Sequence, residues 1–201
     1  MTGPAMKDPD TFGLAMGIQL VTLFIALACL YFVDVAVSWW GGGAFESLAL
    51  GLLGAALSYA AILALTRSPT ALGERLRVLC GALHPFFRHF SWPQIAATAL
   101  AAGVCEELLF RGFLQPWLQG FTSPLTAVLV TSLAFGLLHY ASFTYFAITT
   151  AIGVILGLAY WFSDSLVLVI TWHATYDLFA IVALAKYPRS LGIPVSEESV
   201  R

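Results

Sequence analysis

Windows of roughly 20 apolar residues recur along the chain, at about 12–37, 44–65, 92–118, 124–140, 143–162 and 166–185. Each is long enough to cross the ~30 Å hydrocarbon core of a bilayer as a helix. Inside a bilayer the backbone has no water to bond to, so a segment must satisfy its own N–H and C=O groups, which the helix does. The breaks between windows carry turn and cap residues: Gly41-Gly42-Gly43, Ser68-Pro69, Ser91-Trp92-Pro93, Ser123-Pro124 and Ser163-Asp164. The connections are short, which predicts an all-α, polytopic membrane helix bundle of about six transmembrane helices.

Composition points to the same solvent. Over 201 residues, 60% are hydrophobic and 10% charged, too little polar surface to coat a soluble globule. A net charge of -2 offers no basic footprint, so nucleic acid is not an expected partner. Cys29, Cys80 and Cys105 lack metal-ligand spacing, and no structural disulfide is expected. We read one membrane domain over 1–201: two N-terminal spans and an amphipathic segment within 1–91, a core of four spans over 92–185, and a cytoplasmic tail at 186–201.

The amphipathic segment, 70–90, interleaves Glu74, Arg75, Arg77, His84, Arg88 and His89 with Leu72, Leu76, Leu79, Leu83, Phe86 and Phe87. That pattern predicts a helix lying on the membrane surface, with both histidines solvated. Lys7, Arg67, Arg75, Arg77, Arg88, Lys186 and Arg189 fall on one set of connections, while Asp34, Glu46 and Asp164 mark the alternate ones. Both termini are therefore expected to be cytoplasmic. The first window is read as a retained span, because its N-terminal flank sets one Lys against Asp8 and Asp10. Trp39, Trp40, Trp92 and Trp161 near span ends suit an interfacial aromatic belt.

Charges inside the third window need a reason, because an ionisable group in hydrocarbon is costly. Glu107 and Arg111 are four apart, share a helix face and can pair, whereas Glu106 points about 100° away and stays free. Phe135 and His139 are again four apart, as are His173 and Asp177. With about 1.5 Å of rise per residue, Glu106 lies roughly 10 Å, His173 roughly 14 Å and His139 roughly 22 Å from the outer edge. All three sit in the middle of the membrane, where they can converge on one cavity.

Glu106-Glu107-Leu108-Leu109-Phe110-Arg111, Phe135-Gly136-Leu137-Leu138-His139 and His173-Ala174-Thr175-Tyr176-Asp177, in that order on separate membrane helices, resemble the CAAX protease and bacteriocin-processing (CPBP, or Abi) family of intramembrane proteases. The resemblance covers about 92–185. It implies peptide-bond hydrolysis by a glutamate-activated water, with no cofactor and no bound metal. Carried onto this chain, Glu106 is the general base, and His139 holds and polarises the water. His173 and Asp177 lie against the developing oxyanion. Glu107 and Arg111 form an orienting structural pair, and Phe135 shapes the pocket. Many members of that family carry Asn where this chain has Asp177. Asp177 either is protonated in its apolar setting or accepts a hydrogen bond from His173 and fixes its tautomer, leaving His173 as the donor; we expect the second.

The expected substrate is a membrane-anchored or hydrophobic peptide in a bacterial inner membrane: a CAAX-type tail, a bacteriocin leader or a C-terminal sorting signal, as the resemblance allows. Four other readings use the same residues. Glu106, His139 and His173 form a chemically reasonable zinc set, although no His-Glu-x-x-His signature is present. A non-catalytic immunity protein would bind a peptide in the membrane. A proton-coupled transporter is disfavoured by the absence of an evident inverted repeat. Cys105 beside Glu106 would permit a transpeptidation variant.

Overall fold

The computed structural model describes residues 10–193; Lys7 and the tail after Ile193 lie outside them. Eight α-helices follow in order: α1 (Thr11–Phe32), α2 (Ala44–Arg67), α3 (Ala71–Phe87), α4 (Trp92–Glu107), α5 (Gln115–Gln119), α6 (Pro124–Leu138), α7 (Phe143–Ser163) and α8 (Leu166–Lys186). A π-helical segment, Leu108–Leu114, joins α4 to α5, and a 3₁₀ turn, Pro188–Leu191, follows α8.

The Ser, Thr and Asp residues at the breaks act as helix caps, each side chain meeting a backbone N–H that the first turn leaves unpaired. Asp10 accepts from Gly13, Thr70 from Gly73, Ser123 from Thr126, Ser142 from Tyr145 and Ser165 from Leu168. Ser91 and Gln94 form a capping box ahead of α4. The loop between α1 and α2 completes the start of α8: the N–H groups of Leu166 and Val167 donate to the carbonyls of Ser38 and Trp39, both at 3.0 Å.

Four helices, α1, α2, α7 and α8, are long and apolar enough to cross a membrane. Leu14, Val21 and Phe24 on α1 and Leu52, Leu53 and Leu57 on α2 are more than half exposed. An apolar surface of that extent is stable against lipid, not water. The chain is an integral membrane protein. The other two expected spans take different forms. α6 is a 15-residue helix, about 22 Å long at the helical rise. The window at 92–118 is a continuous helical path that widens into the π segment. Pro116 supplies a reason, since its ring crowds the carbonyl four residues back and it has no N–H to return.

α8 runs through the middle of the bundle between α2 and α4, α1 lies against α4, and α6 and α7 form a hairpin. Glycines set the closest approaches, as small residues do where helices pack in lipid. Gly103 on α4 sits so near α8 that an added methyl would lie 2.7 Å from Ala174 Cβ. Gly54 on α2 accommodates Trp172, whose indole N–H donates to Ser58 Oγ at 3.0 Å.

α3 buries Leu76 and presents Leu83, Phe86 and Phe87 to the protein, where they pack with α8 and its neighbours, while Leu72 and Val78 remain exposed. His84 is half-buried, its Nδ1 2.7 Å from the Leu184 carbonyl, so it is a bridge to α8 and not a solvated residue as the sequence suggested. The described start of the expected tail is likewise packed: Leu191 and Ile193 are buried, and Arg67 Nε donates to the Ser190 carbonyl at 2.8 Å. The three cysteines are free thiols, and Trp39, Trp40, Trp92 and Trp161 are exposed.

Candidate active site

Glu106 and Glu107 end α4, and their 100° separation sends them to different neighbours. Glu107 turns toward α8. It is fully buried, and its Oε1 accepts from Arg111 Nη1 at 2.8 Å and from His173 Nδ1 at 2.7 Å. Arg111, also fully buried, donates from Nη2 to the Gly153 carbonyl of α7 at 2.8 Å, and its guanidinium lies 5.1 Å from the centre of the Phe135 ring. One carboxylate thus ties the π segment to α8, and one guanidinium ties it to α7.

Glu106 turns toward α1 and the end of α6. Its Oε1 accepts from Gln19 Nε2 at 2.7 Å, and its Oε2 lies 3.5 Å from His139 Nε2. His139 caps the C-terminus of α6, where helix carbonyls lose their intrahelical donors. Its Nδ1 is 2.9 Å from the Phe135 carbonyl. A carbonyl only accepts, so Nδ1 carries the proton and, in the neutral ring, Nε2 is a bare acceptor. Glu106 Oε2, which is buried and has no hydrogen-bond partner, faces that acceptor. Two acceptors held 3.5 Å apart call for a donor that serves both, and a water 2.8 Å from each would do so.

His173 shows the second half of the arrangement. Its Nδ1 is taken by Glu107, and its Nε2 lies 3.5 Å from Asp177 Oδ2. The expectation that Asp177 sets the tautomer of His173 is therefore displaced by a nearer partner on another helix. Phe135 packs at the centre, its ring 4.5 Å from that of His139, 5.9 Å from that of His173 and 5.2 Å from that of Phe110.

A cavity of about 130 Å³ opens between α6, α7 and α8. His139, His173 and Asp177 give it a polar side, Ile148, Ile152 and Leu156 an apolar one, and Tyr145 and Tyr176 flank the two. Glu106 reaches it only through His139, and Cys105 is buried away from it. Among the described residues no three His, Cys, Asp or Glu side chains are grouped to hold a metal ion.

Gln19 escaped the sequence reading, as did both tyrosines. The signal for Gln19 was present, since it is a lone amide in the middle of an apolar helix and an amide buried in lipid needs a partner. Nothing in spacing marks Tyr145 or Tyr176.

Comparison with known proteins bears on this region. Residues 88–179 match the family model described as type II CAAX prenyl endopeptidase Rce1-like. The match spans all three motifs and leaves α1, α2 and α3 outside it. The family recognised from the motifs is the same family of CAAX proteases. No curated relative and no solved structure matches the chain.

Proposed function

For a membrane protein whose residues 88–179 match an endopeptidase family, we propose intramembrane proteolysis: hydrolysis of a peptide bond in a membrane-anchored or hydrophobic substrate by a water that Glu106 activates. The observation that carries this reading is the pair of facing acceptors, the buried Glu106 Oε2 and the partly exposed His139 Nε2, 3.5 Å apart. A water bound there donates one hydrogen to each and turns a lone pair outward. Attack on the carbonyl carbon passes the water proton to Glu106, and the carbonyl oxygen becomes an oxyanion. When the C–N bond breaks, Glu106 returns that proton to the leaving amine, so proton and electron pairs balance. His173 faces the cavity through Nε2; with its Nδ1 proton held by Glu107, it is assigned to the oxyanion as an imidazolium, the one form in which Nε2 also carries a proton to donate where charge develops. Glu107 and Arg111 hold His173 in place.

The apolar wall of Ile148, Ile152 and Leu156 suits an apolar side chain next to the scissile bond. At about 130 Å³ the cavity is well below the ~300–1,000 Å³ that encloses a small-molecule ligand, which favours an extended peptide entering from the side. CAAX-type tails, bacteriocin leaders and C-terminal sorting signals all meet that description. We read both termini as cytoplasmic in a bacterial plasma membrane, from the basic residues Arg67, Arg75, Arg77, Arg88, Lys186 and Arg189.

The test is cleavage of membrane-anchored peptides by the purified protein in liposomes, with His139→Ala and with a strong chelator. Wild-type cleavage that survives chelation and falls by about 10²-fold or more in His139→Ala is expected. Loss on chelation would move the chemistry to zinc held by Glu106, His139 and His173. Absence of cleavage across the three peptide classes would favour a binding role such as immunity.

Asp177 supplies a separate expectation. Because His173 is anchored by Glu107, Asp177→Asn keeps the ring in place and preserves the side-chain volume. Activity within about threefold of wild type is expected; neutral-to-modest effects are usual where no buried charge is stranded. A complete loss with normal insertion would show that the carboxylate itself is required.

A further inference from the structure

We propose that Gln19, on α1 and outside the segment matched to the endopeptidase family, is a positioning residue for Glu106; this rests on the reading of Glu106 as general base. α1 has no charged side chain, yet Gln19 is 91% buried because its amide reaches Glu106 across 87 positions of sequence. The Nε2 to Oε1 distance is 2.7 Å, short for N–H···O and in the range of a donor meeting a charged acceptor. The amide orientation is dictated by this contact, since turning it over would set its oxygen against a carboxylate.

The bond does two things. It occupies Oε1 and leaves Oε2 to face His139, so only one carboxylate oxygen is presented to water. It also holds the side chain against rotation, which matters because a base misplaced by an ångström loses much of its effect. The other titratable groups near Glu106 are Glu107 and Cys105 beside it on α4, His139 at the end of α6 and Tyr145 at the start of α7; Glu107 is turned away toward Arg111 and His173. None of them reaches Oε1 in place of Gln19: His139 faces Oε2, and neither Tyr145 nor Cys105 forms a hydrogen bond to the carboxylate. The site is therefore completed by a helix that the family match does not include.

Dicyclohexylcarbodiimide, which modifies protonated carboxyl groups in apolar surroundings, reads Glu106 without requiring catalysis. Labelling of Glu106 is followed by mass spectrometry against pH in the full-length protein in liposomes, for wild type, Gln19→Leu and Gln19→Met. Both replacements suit an apolar helix, so insertion is retained. With that donor gone, Oε1 is open to the reagent and the carboxyl is free to turn, so labelling of Glu106 is expected to increase about threefold or more in both variants across the pH range, and kcat to fall about tenfold while KM stays unchanged. Thr22→Val, which removes a hydroxyl bonded only to Ile18 of its own helix, should leave the curve in place. Superimposable labelling curves for wild type and both Gln19 variants would overturn the proposal, even if the protease reading stands. A raised curve would uphold it even if no peptide is cleaved.

Discussion

Glu106→Gln is expected to lower kcat/KM by about 10²–10⁴-fold, the range that general-base catalysis contributes, with no loss of thermal stability. The geometry explains why the two effects separate. Glutamine is isosteric, and its Oε1 still accepts from Gln19 Nε2, as the carboxylate does at 2.7 Å. Its Nε2 replaces the carboxylate oxygen 3.5 Å from His139 Nε2, and so puts a donor where two acceptors had faced each other. A buried mismatch becomes a direct pair, and the water-binding position is lost with it. Stability equal to or above wild type, combined with inactivity, is the pattern of a group kept for chemistry at the expense of packing. The measurements are initial rates on a membrane-anchored peptide and the unfolding midpoint in detergent. Activity within tenfold of wild type would remove Glu106 from the reaction and favour a binding protein.

Much of the helical plan was legible because it depends on local rules. Hydropathy windows mark where a helix can meet lipid, and Asp10, Thr70, Ser91, Ser123, Ser142 and Ser165 sit where N-caps belong. The pairing of Glu107 with Arg111 follows from a four-residue spacing, and the contact is there at 2.8 Å. The same rule misjudged His173. It pointed to Asp177 on the same helix, but the nearer carboxylate is Glu107, which reaches α8 because Gly103 lets α4 approach Ala174 closely. Tertiary packing decided that partner, and no period in the sequence records it.

The π segment was invisible for a related reason. Its seven residues, Leu108–Leu114, set Arg111 among apolar side chains at ordinary helical spacing, and the one local cue is Pro116 just beyond them. Gln19 is the opposite case: the cue was local, a polar residue inside an apolar helix, but its partner lies 87 positions away. A buried amide announces that a contact exists and not with what. Family motifs cannot help there either, because the matched segment starts at residue 88.

Arg111→Leu is expected to destabilise the protein by about 3–5 kcal/mol, the usual consequence of removing one partner of a buried ion pair. Both members are fully buried, and the substitution strands Glu107 beside a histidine while leaving the Gly153 carbonyl without its donor. A second variant separates structure from function. Changing both residues, Glu107→Leu with Arg111→Leu, removes the stranded charge, and apolar replacement of a complete buried pair is often neutral or stabilising. The double variant should therefore recover most of the lost unfolding midpoint. It should not recover peptide cleavage, because His173 Nδ1 has lost the acceptor it held at 2.7 Å, and a ring free to turn no longer presents Nε2 to the cavity. Stability regained without activity would assign Glu107 to the orientation of His173, with Arg111 as its counterion. Stability and cleavage regained together would reduce the pair to a structural ion pair alone, and the catalytic arrangement would then consist of Glu106 and His139 with whatever donor meets the oxyanion.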